Sequence, residues 1–258
     1  MVNPIRTFKA GKMDVAVYSD AQGMGESAAA FTADVLKRAL AEKGSARMIS
    51  ATGNSQLAFV DALKKVEGID WKNVTVFHMD EYLGISSDHP ASFRRWIRER
   101  MEEAFSPKEV HYLNGEAEDP EAEAKRYEKL LKEAPIDLVC MGIGENGHIA
   151  FNDPPVADFE DPVFVKVVEL DEACRNQQVG EGHFPTMADV PTHALSLTIP
   201  ALLAPAALQV FVPDLRKAEA VKNTIEGPIE TSCPASILRT SDKARLFLDT
   251  ESASKLSS

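Results

Sequence analysis

The chain has 258 residues, of which 44% are apolar and 26% are charged, a composition typical of a globular protein large enough for a complete core. Its net charge of −12 repels nucleic acid and anionic membranes, and no stretch reaches the roughly 18 consecutive apolar residues of a membrane span. We therefore expect neither nucleic acid nor a membrane as a partner.

The cysteines of the chain are odd in number and far apart. Cys140, Cys174 and Cys233 have neither the spacing of a disulfide framework nor that of a zinc site. Residues 1–12 lack the apolar core of a signal peptide. These features predict a reducing, cytoplasmic location and no metal site.

Apolar runs and helical patterns alternate along the chain. In chain order, they predict a strand at Met13–Tyr18, a helix at Glu26–Glu42, a strand at Arg47–Ser50, a helix at Gln56–Val66, a strand at Val74–His78, helices at Ser92–Phe105 and Glu121–Lys132, strands at Ile136–Met141, Val163–Leu170, Ala194–Ile199 and Leu208–Val212, a helix at Leu215–Ile225 and a closing strand at Arg245–Leu248. The Ser-rich end, Ser252–Ser258, is predicted to fray. This order predicts an α/β fold, an open, mostly parallel, doubly wound (Rossmann-like) sheet with helices on both faces, in a single domain over residues 1–258.

Ligands of such sheets bind beyond the carboxyl ends of the strands, where three polar or Gly-rich segments lie. The first, Ala51–Ser55, follows a short strand and opens a helix. Its backbone N–H groups and the positive end of the helix dipole suit a phosphate, and Gly53 permits a tight turn. The alternative is an ordinary strand-to-helix turn with Ser55 as the N-cap.

The second segment, His78–Tyr82, places two adjacent carboxylates directly after an apolar strand. A partly desolvated carboxylate at a strand end can act as a general base. Because successive side chains point apart, Asp80 and Glu81 are not expected to serve one proton together. The alternative is an acidic pair that stabilises a loop.

The third segment, Gly142–Asp153, has three glycines in its first six residues. His148 can exchange protons with a sugar ring oxygen, since an imidazole gains and loses protons near neutral pH. Asp153 can orient that imidazole, as a carboxylate does in a triad. No dinucleotide site is expected, because Asn-Asp-Pro-Pro follows and no long helix can continue from the last glycine. The alternative is a loop histidine without a catalytic role.

Lys217 and Arg175 carry less distinctive local signals. Lys217 lies near the start of a predicted helix after an apolar strand, and Arg175 lies in the polar stretch before Gly180. Most such side chains are solvated surface charges, so the local pattern does not decide their roles.

Together, these segments resemble the glucosamine-6-phosphate deaminase family, which is related to the 6-phosphogluconolactonases and to sugar-phosphate-sensing domains. The resemblance runs from about Val15 to Leu248. It rests on the motifs ATGNS at Ala51–Ser55, MDEYLG at Met79–Gly84, DHP at Asp88–Pro90, GIGENGHIAFND at Gly142–Asp153, VPTHALSLTIP at Val190–Pro200 and RKAEAV…IEG at Arg216–Gly227.

The resemblance implies catalytic roles for four residues. Asp80 matches the base that takes the C2 proton of the sugar and returns it at C1, and His148 matches the residue that opens the pyranose ring. Asp153 and Asn146 match the two positions that support this histidine. Position 153 is more often Glu in the family, so Asp153 is one methylene shorter, and Asn146 cannot act as an acid or a base.

The resemblance also implies the binding residues. The phosphate loop matches Gly53, Asn54 and Ser55, and Lys217 matches the lysine that contacts the phosphate. The family's second phosphate residue is an Arg in an Arg-Phe-Phe run, for which this chain offers Arg175 and His183. Further substrate contacts are predicted at Thr52, Glu81 and Gly147. The stretch after Asp153 lacks the Ser pair and the Arg of the effector site in allosteric members, so activation of that kind is not expected.

The implied activity is that of an aminosugar-phosphate deaminase/isomerase, a hydrolase that converts glucosamine 6-phosphate and water to fructose 6-phosphate and ammonia. Proton transfers suffice for this reaction, so no cofactor and no metal are expected; a homo-oligomer is allowed. Three alternatives stay open: a related sugar-phosphate isomerase, a 6-phosphogluconolactonase and a non-catalytic sugar-phosphate sensor. The Tyr of MDEY and the IAFN of GHIAFN argue against the lactonase, and a sensor would not require both Asp80 and His148.

Overall fold

The computed structural model describes residues 2–180 and 182–257 of the chain. The strands are β1 (Arg6–Ala10), β2 (Met13–Tyr18), β3 (Ala46–Ser50), β4 (Val74–His78), β5 (Asp80–Tyr82), β6 (Glu109–His111), β7 (Leu138–Met141), β8 (Val165–Glu169), β9 (His193–Leu197), β10 (Ala207–Val212) and β11 (Ala244–Asp249). The helices are α1 (Ala21–Lys43), α2 (Leu57–Leu63), α3 (Phe93–Ile97), α4 (Glu103–Phe105), α5 (Pro120–Lys132), α6 (Glu172–Gly180), α7 (Ile199–Leu203) and α8 (Ala218–Glu226). One π-helical turn, Arg98–Glu102, joins α3 to α4.

The main sheet has eight strands in the order β1-β2-β11-β10-β7-β3-β4-β6. All pairings are parallel except that of β1 with β2, a hairpin at the edge. The predicted mostly parallel, doubly wound sheet is therefore confirmed. The edge strands β1 and β6 were not predicted, because their short segments lack the apolar run of a buried strand.

Helices cover both faces of this sheet. The central strand β7 shows why, since all four of its side chains are buried. Leu138 and Cys140 pack with α1, α2 and α3 on one face, whereas Val139 and Met141 pack with α5, α7 and α8 on the other. Among the described residues, none of the helices combines the length and the apolar character that crossing a membrane requires.

A second, antiparallel sheet of three strands, in the order β5-β9-β8, lies beside the main one. It contains the predicted strand Val163–Leu170, shortened at both ends, and the predicted strand Ala194–Ile199, which begins one residue earlier and ends at Leu197 because Ile199 begins α7. The chain reaches it directly from β4, because only Met79 separates β4 from β5. The apolar residues Val165, Leu195 and Leu197 attach this small sheet to the core of the main sheet. The carboxyl end of β4 is thereby held between two sheets.

Two further segments differ from the prediction. Helix α6 was not predicted, because its sequence is polar and has no apolar period. The chain end does not fray within the described residues: Ser252 is fully buried and its N–H donates to Asp249 over 2.7 Å. The N–H of Ser257 donates to Glu226 of α8 over 2.6 Å. Tertiary hydrogen bonds thus order a segment whose composition favours disorder.

Candidate active site

A cavity of about 460 Å³ opens where several strands of the main sheet end. The segments that follow β3, β4, β7, β10 and β11 all contribute to its wall, as expected for the carboxyl ends of parallel strands. Its polar lining includes Thr52, Asn54, Ser55, Asp80, His148, Gln177, Gln178, His183 and Lys217. Residues separated by most of the chain length therefore face one space.

Asp80 lies on the wall of this cavity at the point where the chain passes from one sheet to the other. Its backbone pairs with Ser196 of β9, and its side chain is 7% exposed. Burial raises the pKa of Asp80 well above the ordinary value, and the neighbouring charges of Glu81 and Asp153 raise it further. A carboxylate in this environment is a stronger base than one in water.

Glu81 points away from the cavity, as the alternation along a strand requires. Its carboxylate is fully buried and accepts hydrogen bonds from the Ser92 hydroxyl at 2.7 Å and the Arg94 backbone N–H at 2.8 Å. It also pairs with the Arg94 guanidinium at 3.1 Å. These contacts anchor the first turn of α3 to β5, and Glu81 lies outside the lining of the cavity.

His148 is held by two side chains of its own loop. Its Nδ1 lies 2.7 Å from Oδ1 of Asn146 and 2.9 Å from Oδ1 of Asp153. The Asn146 amide also donates to Asp153 over 2.8 Å. Asp153 therefore reaches the imidazole although it is one methylene shorter than Glu. Both atoms that face Nδ1 are acceptors, so in the neutral ring Nδ1 carries the proton and the Nε2 lone pair is available for chemistry.

Two glycines make this loop possible. The imidazole of His148 lies so close to Gly144 that a Cβ there would come within 2.2–2.4 Å of three ring atoms. Gly147 has a φ of 85°, in the left-handed region that favours glycine. Its carbonyl accepts from the Ala235 N–H at 2.9 Å, and Gly147 lies behind the cavity rather than on its wall.

Asp153 is fully buried, yet its electrostatic environment is the opposite of that of Asp80. Burial alone would raise the pKa of Asp153, but the facing His148 ring and hydrogen bonds from His148, Asn146 and Cys174 outweigh it and lower the pKa below the ordinary value. Asp153 is therefore a stable anion that orients the ring of His148.

The predicted phosphate loop and Lys217 line the same cavity. Thr52, Gly53, Asn54 and Ser55 line it, and a 3-10 turn at Asn54–Gln56 leads from the loop into α2. Lys217 is only 6% exposed and ends the 3-10 turn Leu215–Lys217 before α8. A buried ammonium group beside a polar loop matches the needs of a phosphate group in an acidic protein.

The segment after α6 decides where the two candidates for the second phosphate residue lie. His183 lines the cavity, and its Nδ1 lies 3.1 Å from Oε1 of Gln178. Arg175 lies outside the cavity lining, and its guanidinium donates to the carbonyls of Met187 and Val190 over 2.7 and 2.9 Å. The structure thus places His183, and not Arg175, on the wall of the cavity.

Comparisons with known proteins agree with this arrangement. Residues 19–247 match the model of the family of glucosamine-6-phosphate isomerases and 6-phosphogluconolactonases. The chain belongs to this family. The glucosamine-6-phosphate deaminase of Exiguobacterium sibiricum is 37% identical over 209 residues, covering 80% of each chain. That of Listeria monocytogenes is 38% identical over 206 residues, covering 80% of this chain and 86% of the relative.

Solved structures of the family share the fold. A monomeric glucosamine-6-phosphate deaminase superposes with a TM-score of 0.85 and 32% identity, covering 93% of this chain and 98% of the other. The 6-phosphogluconolactonase of Thermotoga maritima has a TM-score of 0.74 and 18% identity, covering 91% and 98%. At that identity, the lactonase shows only that the fold is common to both.

A histidine that supports the site was not predicted from the sequence. His78 is fully buried, and its Nε2 accepts the Leu113 N–H at 2.9 Å. Its Nδ1 therefore carries the proton and donates to the carbonyl of Asp80 over 2.8 Å. Burial lowers the pKa of His78 to about 3, so the ring stays neutral. The only local signal was a polar residue at the end of an apolar strand.

The contact of Cys174 with the site was not predicted either, because the cysteines were considered only as partners in disulfide bonds or as zinc ligands. Cys174 lies on α6, is 1% exposed and faces the carboxylate of Asp153. Burial raises the pKa of its thiol, and the charge of Asp153 and their hydrogen bond add to that effect. A contact between a helix and a loop more than twenty residues apart has no signature in the local sequence.

Proposed function

We propose that this protein is a glucosamine-6-phosphate deaminase that converts glucosamine 6-phosphate and water to fructose 6-phosphate and ammonia. One observation carries the proposal: Asp80 and His148 line the same cavity as the Ala51–Ser55 loop and Lys217. The volume of about 460 Å³ lies in the range of small-molecule sites and accommodates a hexose phosphate.

The phosphate end of the substrate is bound by the loop residues Thr52, Gly53, Asn54 and Ser55 together with Lys217. The ammonium group of Lys217 supplies charge-assisted hydrogen bonds, which offset the repulsion of an acidic protein for an anion. His183 supplies the second side-chain contact to the phosphate in this proposal. Binding at this end places the sugar ring between Asp80 and His148.

His148 opens the pyranose ring. Its Nε2 lone pair accepts the proton of the C1 hydroxyl and delivers it to the ring oxygen as the bond between C1 and that oxygen breaks. The product is the open-chain aldehyde. Asp153 and Asn146 keep the proton on Nδ1 throughout, so the same face of the ring gives and takes the proton.

Asp80 then moves a proton from C2 to C1. It removes the C2 proton, and the electrons of that bond form a C1–C2 double bond while the aldehyde oxygen takes up a proton from solvent. Return of the C2 proton to C1 leaves a protonated imine at C2, to which water adds before ammonia leaves and the extra proton returns to solvent. The raised pKa of Asp80 makes its carboxylate basic enough for the first step and its acid form able to perform the second.

Glu81 and Gly147 support the site without touching the substrate in this proposal. Glu81 fixes β5 to α3, and Gly147 allows the loop that carries His148. The proposed compartment is the cytoplasm, and the proposed partners are the substrate and, if the chain assembles, further copies of itself. The charge of −12 excludes nucleic acid and anionic membranes from the proposal.

The proposal is tested by incubating purified protein with glucosamine 6-phosphate and measuring ammonia and fructose 6-phosphate in parallel. Equimolar release of both is expected. The same preparation is offered 6-phosphogluconolactone as a control. Hydrolysis of the lactone without ammonia release from the aminosugar would replace the proposed activity with that of a lactonase, and turnover of neither would leave a binding protein.

A further inference from the structure

Nδ1 of His148 and three neighbouring side chains form a cluster of atoms that can bind a metal ion. Donor atoms of His148, Asp153 and Cys174 all lie within 4.8 Å of one another. Oδ1 of Asn146 lies 2.7 Å from Nδ1 of His148 and adds a fourth donor. The set comprises one nitrogen, one sulfur and two oxygens.

We propose that this cluster is an inhibitory Zn²⁺ site, in which His148, Asp153, Cys174 and Asn146 bind the ion through Nδ1, a carboxylate oxygen, Sγ and the amide oxygen. Zinc is borderline-soft and takes these donor types in tetrahedral geometry. Bonds of about 2.0–2.3 Å place zinc ligands roughly 3.3–3.7 Å apart. The oxygens of Asn146 and Asp153, at 2.7 and 2.9 Å from Nδ1, therefore move back slightly to admit an ion, which rotations of the side chains allow. The binding itself does not depend on the proposed function, whereas the inhibition rests on it.

The charges around the cluster favour a cation. Asp80 and Asp153 are both buried, and the charge of Asp153 contributes to the raised pKa of Asp80. The charge of Glu81 is already met by the Arg94 guanidinium. Oδ1 of Asp153 is held by His148 and Asn146, and the Cys174 thiol also hydrogen-bonds to this carboxylate. A divalent cation would replace the thiol and imidazole protons that face Asp153 and would neutralise its charge.

The protons balance as follows. Cys174 binds as the thiolate and releases one proton to solvent, and the Nδ1 proton of His148 moves to Nε2 as the metal takes its place. The cluster changes from a net charge of −1, carried by Asp153, to zero. Metal binding thereby protonates the atom that the proposed mechanism uses as a base, so the bound enzyme cannot open the sugar ring.

Access to the cluster is through the cavity. His148 lines the cavity wall, and its side chain is 13% exposed, whereas Asp153 and Cys174 lie behind it at 0% and 1%. An ion that enters the cavity meets the imidazole first. Buried ligands behind an accessible one favour slow release, because the ion must leave past the ring of His148.

The test is a titration of the purified protein with Co²⁺, a spectroscopic substitute for Zn²⁺, without any substrate. We expect one equivalent to bind with a thiolate-to-cobalt charge-transfer band in the near ultraviolet and the visible bands of a tetrahedral ion. Added Zn²⁺ should displace the Co²⁺ and remove both the charge-transfer band and the visible bands. Cys174→Ala should lose the charge-transfer band and bind on the order of a hundredfold more weakly, while the matched control Cys140→Ala, which removes a buried thiol of the core, should keep it.

Cys174→Ser, which keeps the size of the side chain, repeats the test if the alanine variant does not fold. A wild-type protein without the band, or a band that survives in either Cys174 variant, would overturn the site. Activity is measured separately: Zn²⁺ should abolish ammonia release, and a chelator should restore it. A band in a protein that releases no ammonia from glucosamine 6-phosphate would retain the metal site and refute the proposed function instead.

Discussion

Two buried aspartates, one on β5 and one at the end of the Gly142–Asp153 loop, face the same site with opposite properties. Burial and neighbouring carboxylates raise the pKa of Asp80, whereas His148 and Asn146 outweigh burial and lower that of Asp153. The residue type is the same and both side chains are buried, so the difference comes from the partners. Environments that separate two pKa values in this way divide the roles of base and orienting anion.

The two regions also differ in how they are held. Asp80 lies on a strand between two sheets, and its backbone carbonyl is held by the neutral ring of His78 at 2.8 Å. Asp153 is held through its side chain, by hydrogen bonds from the loop that it stabilises. A base that must be strong is positioned by backbone contacts that leave its carboxylate unneutralised. An orienting anion is positioned by the groups that neutralise it.

The largest effect is expected from Asp80→Asn. Turnover of glucosamine 6-phosphate should fall by about 10²–10⁴-fold with little change in KM, because an amide cannot take the C2 proton. Initial rates of ammonia release measure it, with the exposed Asp88→Asn as the matched control. An Asp80→Asn enzyme with near-normal turnover would remove Asp80 from the role of base.

A smaller loss is expected from Asp153→Asn. The ring of His148 would keep its place but lose a charge-assisted hydrogen bond, worth about 1.5–3 kcal/mol or roughly 10- to 150-fold in rate. The same ammonia assay measures it. A rate loss as large as that of Asp80→Asn would mean that the two carboxylates do not divide the roles as proposed.

The phosphate end should separate His183 from Arg175. Removing one charge-assisted contact to the phosphate in His183→Ala should raise KM about tenfold with little change in kcat. Arg175→Met keeps the length of the stem and should change KM by less than about threefold, while lowering the melting temperature because two carbonyls lose their donor. Steady-state kinetics measure KM and kcat, and thermal melts measure the melting temperature of both variants. The reverse pattern would show that Arg175, and not His183, contacts the phosphate.

The smallest effects, on the order of 1 kcal/mol in free energy of unfolding, should have opposite signs for the two aspartates. An acid with a raised pKa destabilises the fold as pH rises above its unfolded value of about 3.9, so Asp80→Asn should be more stable than wild type at pH 7 and lose part of that advantage at about pH 5. An acid with a lowered pKa stabilises the fold above that value, so Asp153→Asn should be less stable at both pH values.

Denaturant unfolding of both variants and wild type at the two pH values measures these differences. Stabilities that shift in the same direction for both variants would show that packing, rather than charge, dominates at these positions.

Much of this protein was predictable from local pattern. Met13–Tyr18 and Val74–His78 were predicted with their observed ends, because segments dominated by Val and other apolar residues are typical of strands buried in a parallel sheet. The order of strands and helices then placed Ala51–Ser55, Asp80 and His148 at the carboxyl edge of that sheet. These are properties of neighbouring residues in the chain, which is why the sequence determined the fold class and the position of these residues at the edge of the sheet.

Other features depend on contacts that only the tertiary structure decides. The small antiparallel sheet forms because β5 finds β9 more than a hundred residues away, and the choice between Arg175 and His183 depends on how the chain turns after α6. The opposite pKa shifts of Asp80 and Asp153 also depend on the folded structure. Folding buries Asp80 beside the charges of Glu81 and Asp153, whereas it turns the loop of Asp153 so that His148 and Asn146 meet its carboxylate. An identical side chain thus becomes a base or a fixed anion according to the groups that folding brings around it.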